Sequence, residues 1–304
     1  MKPEIIILEK TNVRRLIGVM MPFMIMVILQ RLGILLLSSL GLPDYLSDNL
    51  AFVVASVVGV VFFRLSCGGE TLRILGRPLD HHADTDTDTD DTRRIPPFPP
   101  RDTALGRLLY THVCIAGMIL VMHIIARTAG TDNAATELPI GLASPAAVAA
   151  LVLIHPILEE YIFRWLYYRE LRPMQPIFAG LAQAILFAIV HSSVGGMVNA
   201  LFAGVVLAFA LEHSGSLAVV IWSHTAVNLR SLVYMTLLAD GGAFENAARI
   251  RTILDLILVA FGFGAALALV VRRSLREVWS ENANENKNEN DSTNEDDTAK
   301  EDEV

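Results

Sequence analysis

The chain has 304 residues, 53% of them hydrophobic, and its mean hydropathy is +0.48. The apolar residues come in long blocks close to the ~20 residues that a helix needs to cross a bilayer, which excludes an ordinary soluble domain. The net charge of -8 comes largely from two polar segments, 80–94 and 280–304, so it gives no support for a nucleic-acid partner. The two cysteines, Cys67 and Cys114, form neither a disulfide framework nor a metal-binding motif.

Eight apolar segments predict an all-α fold, a polytopic bundle of about eight transmembrane helices. In chain order the predicted spans are 16–40, 50–66, 106–126, 143–168, 176–191, 197–212, 216–238 and 252–271. The first span contains Gln30 and Arg31, which indicate either a buried polar pairing site or a break in the helix.

Basic residues alternate between the connecting segments as the positive-inside rule requires of eight spans. Lys and Arg occur before the first span, between the second and third, between the fourth and fifth, and after the last. The loops 41–49, 128–142 and 192–196 contain neither. We therefore expect a multi-pass protein of the cell membrane, or of the endoplasmic reticulum in a eukaryote, with both termini in the cytoplasm.

The sequence divides into four regions. Residues 1–139 hold the first helices and a cytoplasmic loop, 78–104, whose acidic repeats predict disorder. Residues 140–240 form the expected catalytic core, and 241–275 the last transmembrane helix. Residues 276–304 are rich in Asn, Glu and Asp, and this composition predicts a disordered acidic tail.

The fourth span carries charged residues, which cost about 2.5–3.5 kcal/mol each inside a bilayer. Glu159 and Glu160 are adjacent, so their side chains point about 100° apart on a helix. Glu160 precedes Arg164 by four residues, the favourable order for an ion pair, which leaves Glu159 free to face the bundle interior. His155 is interpreted as structural, and Pro156 is expected to loosen the helix because it has no N–H.

Two further spans carry polar residues at helical spacing. His191 follows Phe187 by four residues, and Asn228 follows His224 by four. A carboxylate and a neutral imidazole can take a proton from water, while a second imidazole and an amide can stabilise an oxyanion. Glu159, His191 and His224 are also a ligand set that zinc accepts. Both arrangements favour hydrolysis of a peptide bond.

The three motifs together resemble the signature of a known family. They read Glu159-Glu160-x-x-x-Arg164, then Phe187-x-x-x-His191, then His224-x-x-x-Asn228. In this order, each on a separate apolar helix, they are similar to the motifs of the CPBP family of intramembrane proteases. That family includes type II CAAX prenyl endopeptidases and Abi-type bacteriocin-immunity proteins. The resemblance covers roughly residues 140–240, with the Glu160–Arg164 pair in a supporting position.

The resemblance implies an all-helical fold with its site in a membrane cavity. It implies that Glu159 and His191 activate water, and that His224 and Asn228 stabilise the tetrahedral intermediate. Zinc and a metal-independent mechanism both stay open. The expected partners are the lipid bilayer and a membrane-bound peptide or protein, which prenylated and bacteriocin-related substrates would both satisfy.

Two other functions remain open on the sequence. The intramembrane acids and histidines could relay protons in a proton-coupled transporter, although the two halves show no matched inverted repeat. The chain could also be a non-catalytic immunity protein or membrane scaffold.

Overall fold

A computed structural model describes residues 10–66, 103–129, 148–191, 193–239 and 244–301. These residues contain eight helices and no strand. The helices are α1 Lys10–Ser39, α2 Asp44–Ser66, α3 Ala104–Ala129, α4 150–171, α5 Pro176–Ile189, α6 Val194–Ser214, α7 Leu217–Ala239 and α8 Phe244–Glu301. They lie at the eight predicted places, which confirms the helical bundle.

Five of these helices, α1, α2, α3, α6 and α8, are long and apolar enough to cross a membrane. Large apolar side chains such as Leu35, Leu65 and Phe263 lie exposed on them, as expected for a surface that faces lipid. The 14 residues of α5 extend only about 21 Å, less than the ~30 Å of a hydrocarbon core.

Helix α4 is irregular. It consists of a π-helical segment Ala150–Ile154, an α-helical turn His155–Glu159, a second π-helical segment Glu160–Tyr168 and a last turn Arg169–Leu171. Pro156 in the α-helical turn cannot donate a backbone hydrogen bond, in line with the loosening predicted there. Wide π turns are uncommon and occur often at functional sites.

The second half of α4 lies in the centre of the bundle. Phe163, Leu166, Tyr167 and Leu171 are all buried there, among side chains from α1, α2, α5, α6 and α7. Small residues allow neighbouring helices to approach closely: a Cβ on Gly204 of α6 would lie 2.9 Å from the Cβ of Ala184 on α5.

Ion pairs tie the helices together at the end of the bundle where α1 begins. The Arg15 guanidinium donates to a Glu170 carboxylate oxygen at 3.1 Å, which links α1 to α4. Arg172 and Tyr168 both donate to the Glu212 carboxylate, which links α4 to α6. These contacts fix the end of α4 that lies away from the predicted site.

A second ionic cluster lies within the apolar part of α8. Asp255 is only 2% exposed and accepts two hydrogen bonds from the Arg230 guanidinium of α7. The Nε2 atom of His123, on α3, lies 2.8 Å from the same carboxylate. The cluster holds α3, α7 and α8 together, and the sequence analysis did not single out any of its members.

Two acidic segments, 78–104 and 276–304, were predicted to be disordered. The composition of 276–304 predicts disorder, whereas α8 continues as a helix to Glu301. That segment contains neither Gly nor Pro, the two residues that cost a helix most. Residues 78–102 of the acidic loop lie outside the described residues, and α3 begins at Ala104.

Candidate active site

One cavity of about 270 Å³ contains all four residues to which the sequence analysis gives a chemical role. Glu159 reaches it from α4, His191 from the end of α5, and His224 and Asn228 from α7. The full lining is Gln30, Arg31, Ile34, Asp48, Phe52, Leu151, His155, Glu159, Val190, His191, His224 and Asn228.

Glu159 is buried in the cavity wall, on the single α-helical turn between the two π-helical segments of α4. Its carboxylate Oε2 lies 3.6 Å from Nε2 of His224. Glu159 is therefore close to His224, the imidazole that the family resemblance implies for stabilising the oxyanion. A carboxylate and an imidazole thus lie side by side on the cavity surface.

Behind this pair lies the predicted ion pair of Glu160 and Arg164, both 0% exposed. The Arg164 NH1 group donates to Glu160 Oε1 at 3.0 Å. The same oxygen lies 2.7 Å from Nδ1 of His224. Because an ionised carboxylate only accepts hydrogen bonds, Nδ1 of His224 carries a proton and Nε2 points toward Glu159. Glu160 therefore orients His224, a contact that the helical spacing within α4 alone could not reveal.

His191 lies just after the end of α5. Its Nδ1 atom is 2.9 Å from the backbone carbonyl of Phe187, which can only accept a hydrogen bond. Nδ1 therefore donates, and in the neutral ring Nε2 keeps a lone pair. That is the state of a histidine that can accept a proton from water.

Phe187 is the residue that sequence reasoning treated only as a neighbour of His191. Its ring packs against Arg164, whose guanidinium carbon lies 4.4 Å from the ring centroid. The imidazoles of His191 and His224 meet the ring edge-on, with centroids 4.9 Å and 5.9 Å away. Phe187 thus fixes the spacing of the two imidazoles, and its position one helical turn before His191 was the only signal in the sequence.

Asn228 is anchored to the irregular part of α4. Its Nδ2 group donates to the Leu151 carbonyl at 3.1 Å, in the first π-helical segment. A side-chain amide has two N–H donors, so one remains for a ligand in the cavity.

The geometry does not fit the zinc hypothesis. A zinc site takes at least three protein ligands, and the proposed set was Glu159, His191 and His224. Within the described ranges, no group of three His, Cys, Asp or Glu side chains lies close enough to hold a metal ion. No step of the mechanism is therefore derived through a metal.

Gln30 and Arg31 lie on a continuous α1, so the alternative of a helix break is wrong. Both line the cavity, opposite the residues from α4 and α7. His155, interpreted as structural, lines it as well, and its ring packs on Phe52 of α2 with centroids 4.5 Å apart. Helices α1 and α2 therefore form a wall of the site.

Comparison with known proteins agrees with the motifs. Residues 141–230 match the family model described as Rce1-like, type II CAAX prenyl endopeptidase Rce1-like. The match confirms the resemblance to CPBP proteases and includes all four cavity residues with a predicted chemical role. It does not extend to α1, α2 or α8. No curated protein and no solved structure matches the chain.

Proposed function

We propose that this protein is an intramembrane endopeptidase that hydrolyses a peptide bond of a membrane-associated substrate with a water activated by Glu159 and His191. The observation that carries the proposal is the convergence of Glu159, His191, His224 and Asn228 from three helices on one cavity. These residues lie within the segment that matches the CAAX prenyl endopeptidase family.

The first step is attack of water on the scissile carbonyl carbon. Glu159 and the Nε2 lone pair of His191 bind the water, and the Glu159 carboxylate accepts its proton as the new C–O bond forms. The electron pair of the carbonyl moves to oxygen, which gives a tetrahedral intermediate with one negative charge.

His224 and Asn228 stabilise that oxyanion. Nε2 of a doubly protonated His224 donates to it, together with the second N–H of the Asn228 amide. Glu160 orients this imidazole through its contact with Nδ1, as the carboxylate partner of a catalytic histidine does. With Arg164 and His224 charged, the two positive charges balance those of Glu159 and Glu160, so the buried cluster is neutral.

Collapse of the intermediate completes the reaction. The C–N bond breaks as the carbonyl re-forms, and the proton held by Glu159 passes to the leaving amine nitrogen. The products are a carboxylic acid, which keeps the second proton of the water, and a free amine; the acid loses that proton to bulk water after release and becomes a carboxylate. The one proton that Glu159 takes from water is thus returned to the leaving amine, and Glu159 is again a carboxylate.

The topology follows from the distribution of basic residues. We propose that both termini lie in the cytoplasm, because the Arg and Lys residues alternate accordingly. Gln30 and Arg31 belong to the last ten residues of α1, and Asp48 to the first turns of α2. The cavity would then lie in the half of the bundle away from the cytoplasm, and a cytoplasmic substrate would reach it through the bilayer.

The substrate is proposed to be a peptide or protein held at the membrane, and a prenylated chain is the candidate that the matched family model favours. A direct test compares membrane peptides after incubation with the wild-type protein and with Glu159→Gln. Loss of the general base should lower cleavage by at least about 100-fold, because general acid–base catalysis contributes 10²–10⁴-fold.

Glu170→Gln is the matched control, since it removes a carboxylate from the same helix at the far end of the bundle. It should leave cleavage essentially unchanged. Equal turnover by Glu159→Gln and the wild type would refute the proposed function. Proton-driven uptake into vesicles, without cleavage, would favour the transporter instead.

A further inference from the structure

A second group of polar and aromatic side chains lies between α2 and α4, outside the cavity of the proposed active site. It consists of Arg64 on α2 and of Tyr161, Trp165 and Arg169 on α4, and we call it the α2–α4 cleft. None of these four residues lines the cavity that contains Glu159. The proposed mechanism therefore gives the cleft no role.

The cleft is the one place where the second π-helical segment of α4 reaches the surface of the bundle. Within that segment Tyr161 and Trp165 alone are partly exposed, and all the other residues are buried. Arg169, one turn further along α4, continues this strip, since its guanidinium carbon lies 4.8 Å from the centroid of the Trp165 ring. The exposed strip of α4 thus consists of two aromatic rings with polar groups and one arginine.

Arg64 is the charged residue that α2 adds to the cleft, and it lies within the apolar span Leu46–Ser66. Its Nη2 group donates to the Tyr161 hydroxyl at 2.8 Å. Its Nε atom is buried without a hydrogen-bond partner, and no acidic side chain among the described residues forms an ion pair with it. A charged group within a span is costly unless it is paired or functional. Arg64 therefore favours an anionic ligand.

The acidic residues near Arg169 are bound to other side chains. Glu170 forms an ion pair with Arg15, and Glu212 forms one with Arg172. Arg169 is close enough to Glu170 and Arg172 to interact with them electrostatically, but within the described part of the chain it forms no ion pair. The cleft therefore has two guanidinium groups, and no described carboxylate neutralises either of them.

We propose that the α2–α4 cleft binds an anionic phospholipid of the cytoplasmic leaflet. Arg64 binds the phosphate, since a planar guanidinium matches two phosphate oxygens, and Arg169 adds a second positive charge at the headgroup. Tyr and Trp rings suit the boundary between headgroups and acyl chains. The proposed topology places this end of α4 on the cytoplasmic side, where the membrane surface carries anionic lipids. The inference is independent of the peptide cleavage proposed above.

A free phosphate ion offers the same charge to a guanidinium. The lipid is favoured because the neighbours of Arg64 on α2 are apolar and exposed: Phe62 is 42% exposed and Leu65 is 74% exposed. These side chains offer a surface to acyl chains, whereas a soluble ion would have to leave water to reach Arg64. The two sources of phosphate can be distinguished by experiment.

Quenching of Trp165 fluorescence reports a lipid bound at the cleft. The chain has three tryptophans, so Trp222 and Trp279 are first replaced by Phe. The protein is reconstituted in phosphatidylcholine bilayers with increasing fractions of phosphatidylglycerol that is brominated near the headgroup. A parallel series uses brominated phosphatidylcholine. We expect half-maximal quenching at about a ten- to hundredfold lower fraction of the anionic lipid, as charge-assisted hydrogen bonds imply.

Substitutions in the same background test which side chains produce the preference. Arg64→Gln should make the two quenching curves coincide, and Arg64→Lys should keep part of the difference. Tyr161→Phe removes the hydroxyl that holds the guanidinium, so the preference should fall. Arg14→Gln is the matched control, because it removes an exposed arginine near the start of α1 and should leave the preference unchanged. Circular dichroism checks that each variant is folded.

Equal quenching by the two lipids, or a preference that survives Arg64→Gln, would overturn the inference. An equal loss of preference in Arg14→Gln would also overturn it, because it would show only a general attraction of anionic lipid to basic residues. If Arg64→Gln does not fold, an unchanged preference in both Arg64→Lys and Tyr161→Phe would have the same meaning. Excess inorganic phosphate, added at constant ionic strength, should leave the preference intact, and its loss would assign the cleft to a free phosphate ion.

Discussion

Substitutions at Glu160 can separate an effect on the stability of the protein from an effect on its activity. One carboxylate oxygen accepts from both Arg164, at 3.0 Å, and His224, at 2.7 Å, and Glu160 is 0% exposed. Glu160→Gln leaves the Arg164 guanidinium buried without its counter-ion, which should cost about 3–5 kcal/mol of unfolding free energy. It also removes the negative charge beside Nδ1 of His224, which helps the imidazole to donate to the oxyanion, so peptide cleavage should fall.

The double variant Glu160→Gln/Arg164→Met distinguishes these two effects. It removes both charges of the ion pair while Met keeps an apolar contact with Phe187, so stability should return to within about 1–2 kcal/mol of the wild type. His224 still lacks its carboxylate, and cleavage should stay roughly 100-fold down, the size expected for one oxyanion donor.

The assay pairs unfolding in detergent, followed by circular dichroism, with the rate of peptide cleavage at a fixed concentration of folded protein. Recovery of full activity together with stability in the double variant would refute the positioning role and leave Glu160 purely structural. A single Glu160→Gln variant that unfolds like the wild type would refute the ion-pair argument.

Two other predictions concern the cluster on α8 and the metal. Asp255→Asn should lower the unfolding free energy in detergent by about 3–5 kcal/mol, because Arg230 loses its buried partner. His123→Ala should cost less, because the His123 side chain is 36% exposed. Equal losses of unfolding free energy in the two variants would contradict this ranking. Cleavage should survive removal of divalent metals by a chelator, because the described residues contain no cluster of three metal-ligating side chains. Activity that disappears with the chelator and returns with added zinc would contradict the metal-independent mechanism.

The helices were predictable because their signal is local. Long apolar blocks mark α1, α2, α3, α6 and α8 without reference to any other part of the chain. The Glu160–Arg164 pair was predictable for the same reason, because it lies within one helix. Glu160 and His224 are 64 residues apart in the sequence, and their contact depends on how α4 packs against α7. No local pattern in a single sequence indicates such packing.

Other features were missed for different reasons. Asp255 was visible as an acid inside the last apolar block, but its partners Arg230 and His123 lie on other helices. The π-helical segments of α4 lie on either side of the turn that contains Pro156, and the sequence predicted only a loosening of the helix there. The disorder of the tail 276–304 stays a prediction from its composition, and α8 is helical as far as Glu301.

The cavity is lined by two parts of the chain, one inside and one outside the segment that matches the family model. The matched segment supplies Glu159, His191 and His224, which can activate water and stabilise charge but do not themselves distinguish one peptide from another. The opposite wall comes from α1 and α2, where Gln30 has a buried oxygen that no described residue satisfies and Arg31 adds a charged side chain. Since the chemistry requires only the first group, any preference for a particular peptide should reside in the second. Changes at Arg31 should therefore alter which peptides bind, whereas changes at Glu159 should alter whether any peptide is cut.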